Sequence, residues 1–340
     1  MEGTIQPASA IPGESLREYL RFQGVSPEII EWKYFDTAFN RGRERGVTWW
    51  HNDQVFAFLG LIPFTLGRGD RSWDSMWLCD WTRRPGEIAR GTGLKLNVWA
   101  VQAFDHLFGI GGTEVARRLH PKVADRTIAD AGIVFRLPLR FGAVLNKLGR
   151  RMPLSGLTRR MFGRLPLPWA VRKSLQHDVK TEIGIPRAIG SLVESDRGGG
   201  WYPRYDLDYL DWQLMRCPAV TCGTCYIPTS SGARAAAVFW RSVESADTWR
   251  LALWCQKAAH DESAAVLNAA IRHAYNEGGM IISLITSRLD TDLIALAKSR
   301  RFMPSRQRLP LWTYAARPTS QPVDELSGLS HLDGDFAYRF

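Results

Sequence analysis

One succession of strand and helix patterns occurs twice in this 340-residue chain. A duplicated unit narrows the available folds more than composition does. In residues 31–138, the segments 46–51 and 54–65 read as two strands turning at Asn52-Asp53, a hairpin signature. A strand over 75–81, a glycine-containing loop and a helix over 94–107 follow. A short strand over 108–111 and a helix from Thr113 complete the unit. Residues 201–316 repeat the order, with strands over 235–242 and 248–256, a helix over 262–276, a strand over 280–286, a helix over 290–300 and a strand over 310–315. Leu96-Asn97 in one helix answers Leu267-Asn268 in the other, 171 positions on. That offset belongs to domain duplication and not to a solenoid of short repeats.

The length suits two cores of ordinary size. Residues 1–30 form an N-terminal helical lead, with Leu16, Tyr19 and Leu20 on one helix face. Residues 139–200 form a basic Leu/Arg/Pro-rich linker or membrane-surface segment, and 317–340 a polar tail. Hydrophobic residues at 45% and charged residues at 23% exclude global disorder. The 14 Trp suit buried clusters or an aromatic-lined groove equally well. Residues 136–180 carry eleven Lys and Arg against the lone Asp178, which accounts for the whole net charge of +10. No recognition element with interleaved aromatics accompanies that charge, which argues against a nucleic-acid partner. Helices in 139–180 would be amphipathic, fit either for peripheral contact with an anionic membrane or for a solvated linker. The first fifteen residues lack the pattern of a secretory signal, and no apolar run is long enough to span a bilayer. The expected location is cytoplasmic.

The chemistry concentrates in residues 75–104, where strand, glycine loop and helix arrive in sequence. Gly91 and Gly93 remove Cβ atoms where backbone N–H groups would face an anion, and a helix beginning near Leu94 adds its positive end. A diphosphate is the natural guest, with Arg90 and Lys95 as flanking cations. A plain left-handed turn into a helix needs the same glycines. Antiparallel strands before the loop disfavour the dinucleotide-binding and P-loop readings.

Hairpin, long strand, Arg90-Gly91-Thr92-Gly93, helix, strand and helix together resemble the core of the GNAT acyltransferase superfamily. In particular the chain resembles the tandem, double-domain members found with bacterial surface-polysaccharide and cell-wall genes. The resemblance is strong over 31–138 and weaker over 205–316. It implies an α/β fold of two tandem GNAT-like domains, each a mixed, mostly antiparallel sheet flanked by helices. In the family's pyrophosphate loop, Gln/Arg-x-x-Gly-x-Gly/Ala, Gly91 and Gly93 match, while Ile88 stands at the leading position and Arg90 lies nearby. The resemblance implies acetyl-CoA or another acyl-CoA as co-substrate, held by Leu78, Cys79, Arg90, Gly91, Thr92, Gly93, Leu94 and Lys95. The corresponding stretch 256–263 has no glycine, so the first domain would hold the coenzyme and the second complete the acceptor side.

The implied reaction is direct attack of an amine on the thioester, with a backbone N–H near 78–80 polarising the carbonyl. The acceptor would be a small-molecule or lipid-linked amine, such as an amino sugar or cell-envelope precursor. Asp80, placed by alternation with Met76 and Leu78, reads either as the base or as an ion-pair partner of Arg83 or Arg84. His331 and Asp333 form a second catalytic candidate if the tail packs over the cleft, with Asp335 on the substrate; a frayed terminus is the alternative. Glu31-Trp32-Lys33-Tyr34 reads as an acceptor-side element, with Glu31 and Trp32 on the substrate, or as a hydrophobic staple on the core. Two other functions stay open: an aminoacyl-tRNA-dependent transferase of the peptidoglycan-branching type, and a non-catalytic membrane-surface protein. Cys217, Cys222, Cys225 and Cys255 follow a ferredoxin-like spacing, but Pro218 and the apolar run before Cys255 favour reduced thiols over a cluster. The remaining histidines, His120 among them, show no ligand spacing, and no residue is assigned to a metal.

Overall fold

A computed structural model of the chain describes residues 3–36, 39, 42–86, 91–148, 165–168, 177–195, 200–255, 258–315 and 323–333. Among these lie strands β1 (Thr4–Pro7), β2 (Gly46–His51), β3 (Gln54–Arg68), β4 (Arg71–Arg83), β5 (His106–Ile110), β6 (Arg126–Pro138) and β7 (Lys180–Ile183). The remaining strands are β8 (Tyr202–Arg204), β9 (Val220–Thr229), β10 (Gly232–Ser242), β11 (Thr248–Trp254), β12 (Ile281–Ser287) and β13 (Met303–Ala315). They join in one mixed sheet of order β1-β2-β3-β4-β5-β13-β6-β12-β11-β10-β9-β7, with β8 added to β3. Two pairs are parallel, β4 with β5 and β11 with β12.

Read inward from either edge, the sheet has the same plan. β1 to β5 are followed by β13, and β7, β9, β10, β11 and β12 are followed by β6. Each half therefore receives its sixth strand from the other. β13 lies antiparallel to both β5 and β6, and β6 antiparallel to β12.

The side-chain alternation of the strands divides the core. On one face, Ile62, Phe64, Trp77, Ala236, Val238, Trp240 and Trp254 enter a single cluster that spans both halves. The opposite face carries two separate clusters. Leu59, Leu61 and Met76 pack with Leu96 and Ala100 of α3 (Thr92–Ala103). Ala237, Phe239, Leu251 and Leu284 pack with Val266, Ala270 and Leu296. These last three come from the helices His260–Asn276 and Thr291–Ser299. In chain order the helices are α1 (Gly13–Phe22), α2 (Pro27–Ile30), α3, α4 (Glu114–Leu119), α5 (Phe141–Leu148), α6 (Gly190–Val193), α7 (Leu207–Leu210), α8 (His260–Asn276) and α9 (Thr291–Ser299).

The shared face closes on a second internal repeat. Ser26 caps α2 and Asp206 caps α7, each accepting from the third residue on, and each helix runs into a π-helical turn, Glu31–Phe35 and Asp211–Met215. Trp32 and Trp212 occupy matching places 180 positions apart. Their rings stack at 4.8 Å. Trp32 Nε1 donates to the Trp212 carbonyl at 2.7 Å, and Trp212 Nε1 to the Trp32 carbonyl at 3.2 Å. Both buried indoles are thereby satisfied across the junction of the halves.

Several expectations change. The Asn52-Asp53 hairpin is present, and both residues have positive φ, 45° and 58°, as a type I′ turn requires. β4 extends to Arg83, beyond the expected end at residue 81. The helix expected over 94–107 starts at Thr92 and ends at Ala103. The unpredicted β6 completes the partner half. Cys222 and Cys225, three apart on β9, face opposite sides of the sheet: Cys217 and Cys222 lie with the shared cluster, Cys225 and Cys255 with that of α8. The four thiols do not converge, so the ferredoxin-like spacing is a coincidence of strand and loop. The segment 323–333 is not frayed: Val323, Leu326, Leu329 and Leu332 are buried in the shared cluster. Arg90, Asp335 and much of the basic segment, 149–164 and 169–176, lie outside the described residues. No described helix is long and apolar enough to cross a membrane.

Candidate active site

β4 and β5 pair only over Ser75–Trp77 and His106–Phe108, then diverge. At the point of divergence β4 bulges. Gly60 of β3 faces Cys79 and Phe58 faces Thr82, so Asp80 and Trp81 together oppose Leu59. Asp80 sits at φ 43°, a left-handed conformation that carboxylate and amide side chains tolerate better than most. Simple alternation from Met76 through Leu78 therefore fails at this residue.

Asp80 is held from α2 and its π turn. Lys33 Nζ and the Tyr34 hydroxyl both donate to Asp80 Oδ2. The Lys33 side chain is 1% exposed and that of Asp80 12%. The ion-pair reading of Asp80 is thus correct in kind but wrong in partner. Arg84 instead donates from Nε to the Val55 carbonyl at 2.8 Å. Gly60 makes room for this arrangement, since a Cβ there would lie 2.7 Å from the Tyr34 hydroxyl and 2.9 Å from Cys79 Sγ. Glu31 and Trp32 do not reach the site. Glu31 pairs with Arg17 at 2.6 Å on the outside, and Trp32 is in the core.

The divergence opens into an elongated cavity of about 690 Å³ that runs across the sheet from β4 to β11. Leu78, Cys79, Asp80 and Trp81 line one end, with Gly111 and Gly112 at the end of β5. His120 stands beside them, its ring stacked 4.2 Å from Trp312 and bonded to the Tyr314 hydroxyl. Burial pushes His120 down to about 4, so it is neutral at pH 7.

The far end belongs to β6, β11 and β12. Arg250 faces Ser283, and Ser283 faces Arg136, so the three form one row on one face of the sheet. His331 Nε2 meets Ser283 Oγ at 2.9 Å. Arg250 is 5% exposed, and burial lowers its guanidinium to about 10, which leaves it charged at neutral pH. Burial, with help from Arg250 and Arg136, holds His331 well below the ordinary histidine value. Asp333 does not line the cavity. It is fully buried, accepting from Tyr205 Oη and from the Ser330 amide, both at 2.6 Å, and so anchors the segment that presents His331.

The N-terminus of α3 lies beside the first end. Gly91 precedes it at φ 77°, with no side-chain cap and no acidic residue in the first turn. Gly93 has a different reason for lacking a Cβ than anion access: that atom would fall 2.4 Å from Trp81 Nε1. Lys95 Nζ sits 4.8 Å over the Trp49 ring. Gly93 thus borders the site through Trp81, and Thr92, Gly93, Leu94 and Lys95 are not among the cavity's described lining residues. The matching end of α8 differs. Glu262 Oε2 accepts from the Ala259 amide at 2.9 Å, and Asp261 and Glu262 place two acids in the first turn. An anion is favoured at α3 and disfavoured at α8.

Sequence reasoning missed Lys33 and Tyr34 as partners of Asp80, and missed His120, Arg136, Arg250 and Ser283. One signal was present: an arginine inside the apolar strand Trp249-Arg250-Leu251. The other residues meet only through strand pairing.

No protein-family model matches the sequence, and no curated protein matches it. Solved structures do. A GCN5-related N-acetyltransferase from Anabaena variabilis is 11% identical, over 93% of this chain and 73% of its own, with a TM-score of 0.57. Saccharomyces cerevisiae N-myristoyltransferase with bound myristoyl-CoA is 13% identical, over 87% and 76%, with a TM-score of 0.52. A tandem GNAT protein from the clavulanic acid biosynthesis pathway is 12% identical, over 94% of this chain and all of its own, with a TM-score of 0.55. At these identities the likeness is one of fold: the chain has a mixed α/β architecture, a large sheet flanked by helices, matching GNAT-like structures.

Proposed function

We propose that this protein is an acyl-CoA-dependent N-acyltransferase whose coenzyme lies in the first half. The observation that carries the reading is the bulge at Asp80-Trp81, placed where β4 leaves β5 and the cavity begins. A thioester in that wedge would receive a backbone N–H of the bulge at its carbonyl oxygen, positioned before reaction begins. Its pyrophosphate would meet the positive end of α3 around Gly91–Lys95, which carries no competing acid. The acceptor enters from the side formed by β6, β11 and β12. Its ammonium loses one proton and the nitrogen attacks the carbonyl. A C–N bond forms, the C–S bond breaks, and the leaving thiolate takes up the second proton. Among the described lining residues, His331 and His120, both neutral, and Asp80 are able to relay a proton.

Calorimetric titration of acetyl-CoA and myristoyl-CoA tests this. Wild type should bind at least one of them. Gly91→Asp keeps a residue that accepts positive φ but sets a carboxylate where the pyrophosphate would lie, and should weaken binding at least tenfold. Failure of the wild type to bind either thioester, or equal affinity in the variant, would refute the reading.

A further inference from the structure

We propose that His120 donates a hydrogen bond from Nε2 to the carbonyl oxygen of the thioester during acyl transfer, and that Tyr314 of β13 fixes the tautomer that lets it do so. The role of donor rests on the acyl-transfer reading, while the tautomer stands on its own contacts.

The ring is held on several sides. His120 opens the short turn after α4 and is 6% exposed, yet it lines the cavity. It stacks 4.2 Å from Trp312 with 21° between the planes, and lies 5.3 Å from Trp81. Trp81 is half of the β4 bulge, so the imidazole sits beside the backbone N–H groups that would meet the carbonyl. Tyr314, 194 positions on, reaches the ring edge-on from β13.

The hydrogen bond at Nδ1 decides what Nε2 presents. Nδ1 is bonded to the Tyr314 hydroxyl. A phenol ordinarily loses its proton near pH ~10, whereas the N–H of a neutral imidazole is far less acidic, and the imidazole nitrogen is the better acceptor of the two. Tyr314 is therefore the donor, Nδ1 holds the lone pair, and the hydrogen of the neutral ring is on Nε2. Burial raises the Tyr314 hydroxyl above its ordinary value, so it keeps the proton it shares. Burial lowers His120 to about 4, so at pH 7 the ring is neutral and has a tautomer to fix. Nε2 has no hydrogen-bond partner among the described residues and is not enclosed by them, so its N–H opens on the cavity. A histidine placed for packing alone would have that nitrogen bonded or shut in.

An N–H in this position meets charge that exists only during reaction. As the amine nitrogen attacks, the C–N bond forms and the carbonyl π pair moves to oxygen. The pair returns as the C–S bond breaks and the thiolate leaves. Nε2 donates to the oxygen throughout and keeps its hydrogen, so the ring ends each turnover as it began. One preorganised donor of this kind raises turnover by about a hundredfold or more. His120 joins the bulge N–H as a second donor, and the strand exchange supplies the residue that orients it.

Heteronuclear NMR of the histidine side chains in the full chain at pH 7, assigned with His120→Gln, reads the tautomer without any ligand. His120 should carry its hydrogen on Nε2. Tyr314→Phe, which removes the hydroxyl and keeps the ring, should turn it into a mixture of both tautomers. Calorimetry with two unreactive thioethers reads the donor. S-carboxymethyl-coenzyme A places a carboxylate oxygen where the carbonyl oxygen would lie, and S-ethyl-coenzyme A places none. Wild type should prefer the carboxylate by about tenfold or more, the scale of a hydrogen bond to a charged group. His120→Phe keeps the stack on Trp312 and should abolish most of that preference, whereas His120→Gln, whose amide N–H can take the place of Nε2–H, should retain it. Tyr314→Phe should reduce the preference several-fold in the wild-type background and not at all beside His120→Phe, because a positioning residue acts through the histidine alone. Hydrogen on Nδ1 in the wild type, a preference that survives His120→Phe, or a Tyr314→Phe effect that persists without the histidine would overturn the proposal. Binding of neither thioether refutes the acyl-transfer reading and the donor role together, and the ligand-free spectrum tells that failure from a wrong tautomer.

Discussion

A Lys33→Met substitution tests how Asp80 is held. The lysine side chain is 1% exposed and the carboxylate 12%, so the pair sits where water screens it little. Removing one partner of a buried ion pair destabilises by about 3–5 kcal/mol, because the remaining charge stays desolvated. Tyr34 would still donate to Asp80, which favours the lower end of that range. A second substitution, Asp80→Asn, should then recover most of the loss. Asparagine accepts the positive φ of this position and can still accept from Tyr34, and no buried charge remains. Urea unfolding at pH 7, followed by tryptophan fluorescence, gives the four free energies of the cycle. A single-variant cost under about 1 kcal/mol, or a double variant no more stable than Lys33→Met, would refute the argument that the pair is buried and mutually required. The same proteins separate structure from chemistry. If Asp80 relays the proton, the stable double variant should lose at least about a hundredfold in turnover, the usual scale of one acid–base group. Turnover near wild type would make the ion pair a scaffold for the bulge and leave proton transfer to His331 or His120.

Two further outcomes follow from named contacts. Trp32→Ala and Trp212→Ala should each destabilise by about 3–5 kcal/mol, and in a double-mutant cycle by urea unfolding their effects should fall short of additivity by about 1 kcal/mol or more, since each removes the same stack. His120, lowered to about 4 from an ordinary 6.5, binds its proton more weakly folded than unfolded, so its contribution is present above pH 6.5 and is lost as pH falls toward 4. That loss amounts to about 3 kcal/mol at most, and His120→Asn should flatten the stability–pH curve in this window when unfolding is measured from pH 7 to 4.

What the sequence made legible was local. Asn52-Asp53 announces its turn because few pairs accept two positive φ values in succession. Leu16, Tyr19 and Leu20 announce α1 because a helical stripe needs no distant partner to be seen. The repeated order of strands and helices was legible too, although the Leu-Asn pair is a weaker sign of it than Trp32 and Trp212, which bond reciprocally. The strand exchange was not legible, because β13 enters between β5 and β6 by joining residues nearly two hundred positions apart. The bulge was hidden for a related reason. Nothing near Asp80 in sequence calls for positive φ, and the lysine and tyrosine that bond its carboxylate come from α2's π turn. Gly93 carries a second constraint that sequence did not show, since a Cβ there would meet the Trp81 indole.

The exchange also decides where a site can form. One sheet face carries a cluster that spans both halves, whereas on the other each half packs its own helices in a separate cluster. The cavity begins where β4 parts from β5 and ends on β6, β12 and β11, so its two ends are built by different halves. The helix ends then break the symmetry. α3 opens on Gly91 with its first-turn dipole unopposed by acids, whereas α8 opens on Asp261 and Glu262, which occupy the place an anion would take. The two halves of the sheet share one strand plan. Two acids in the first turn of α8 discourage a phosphate at the second.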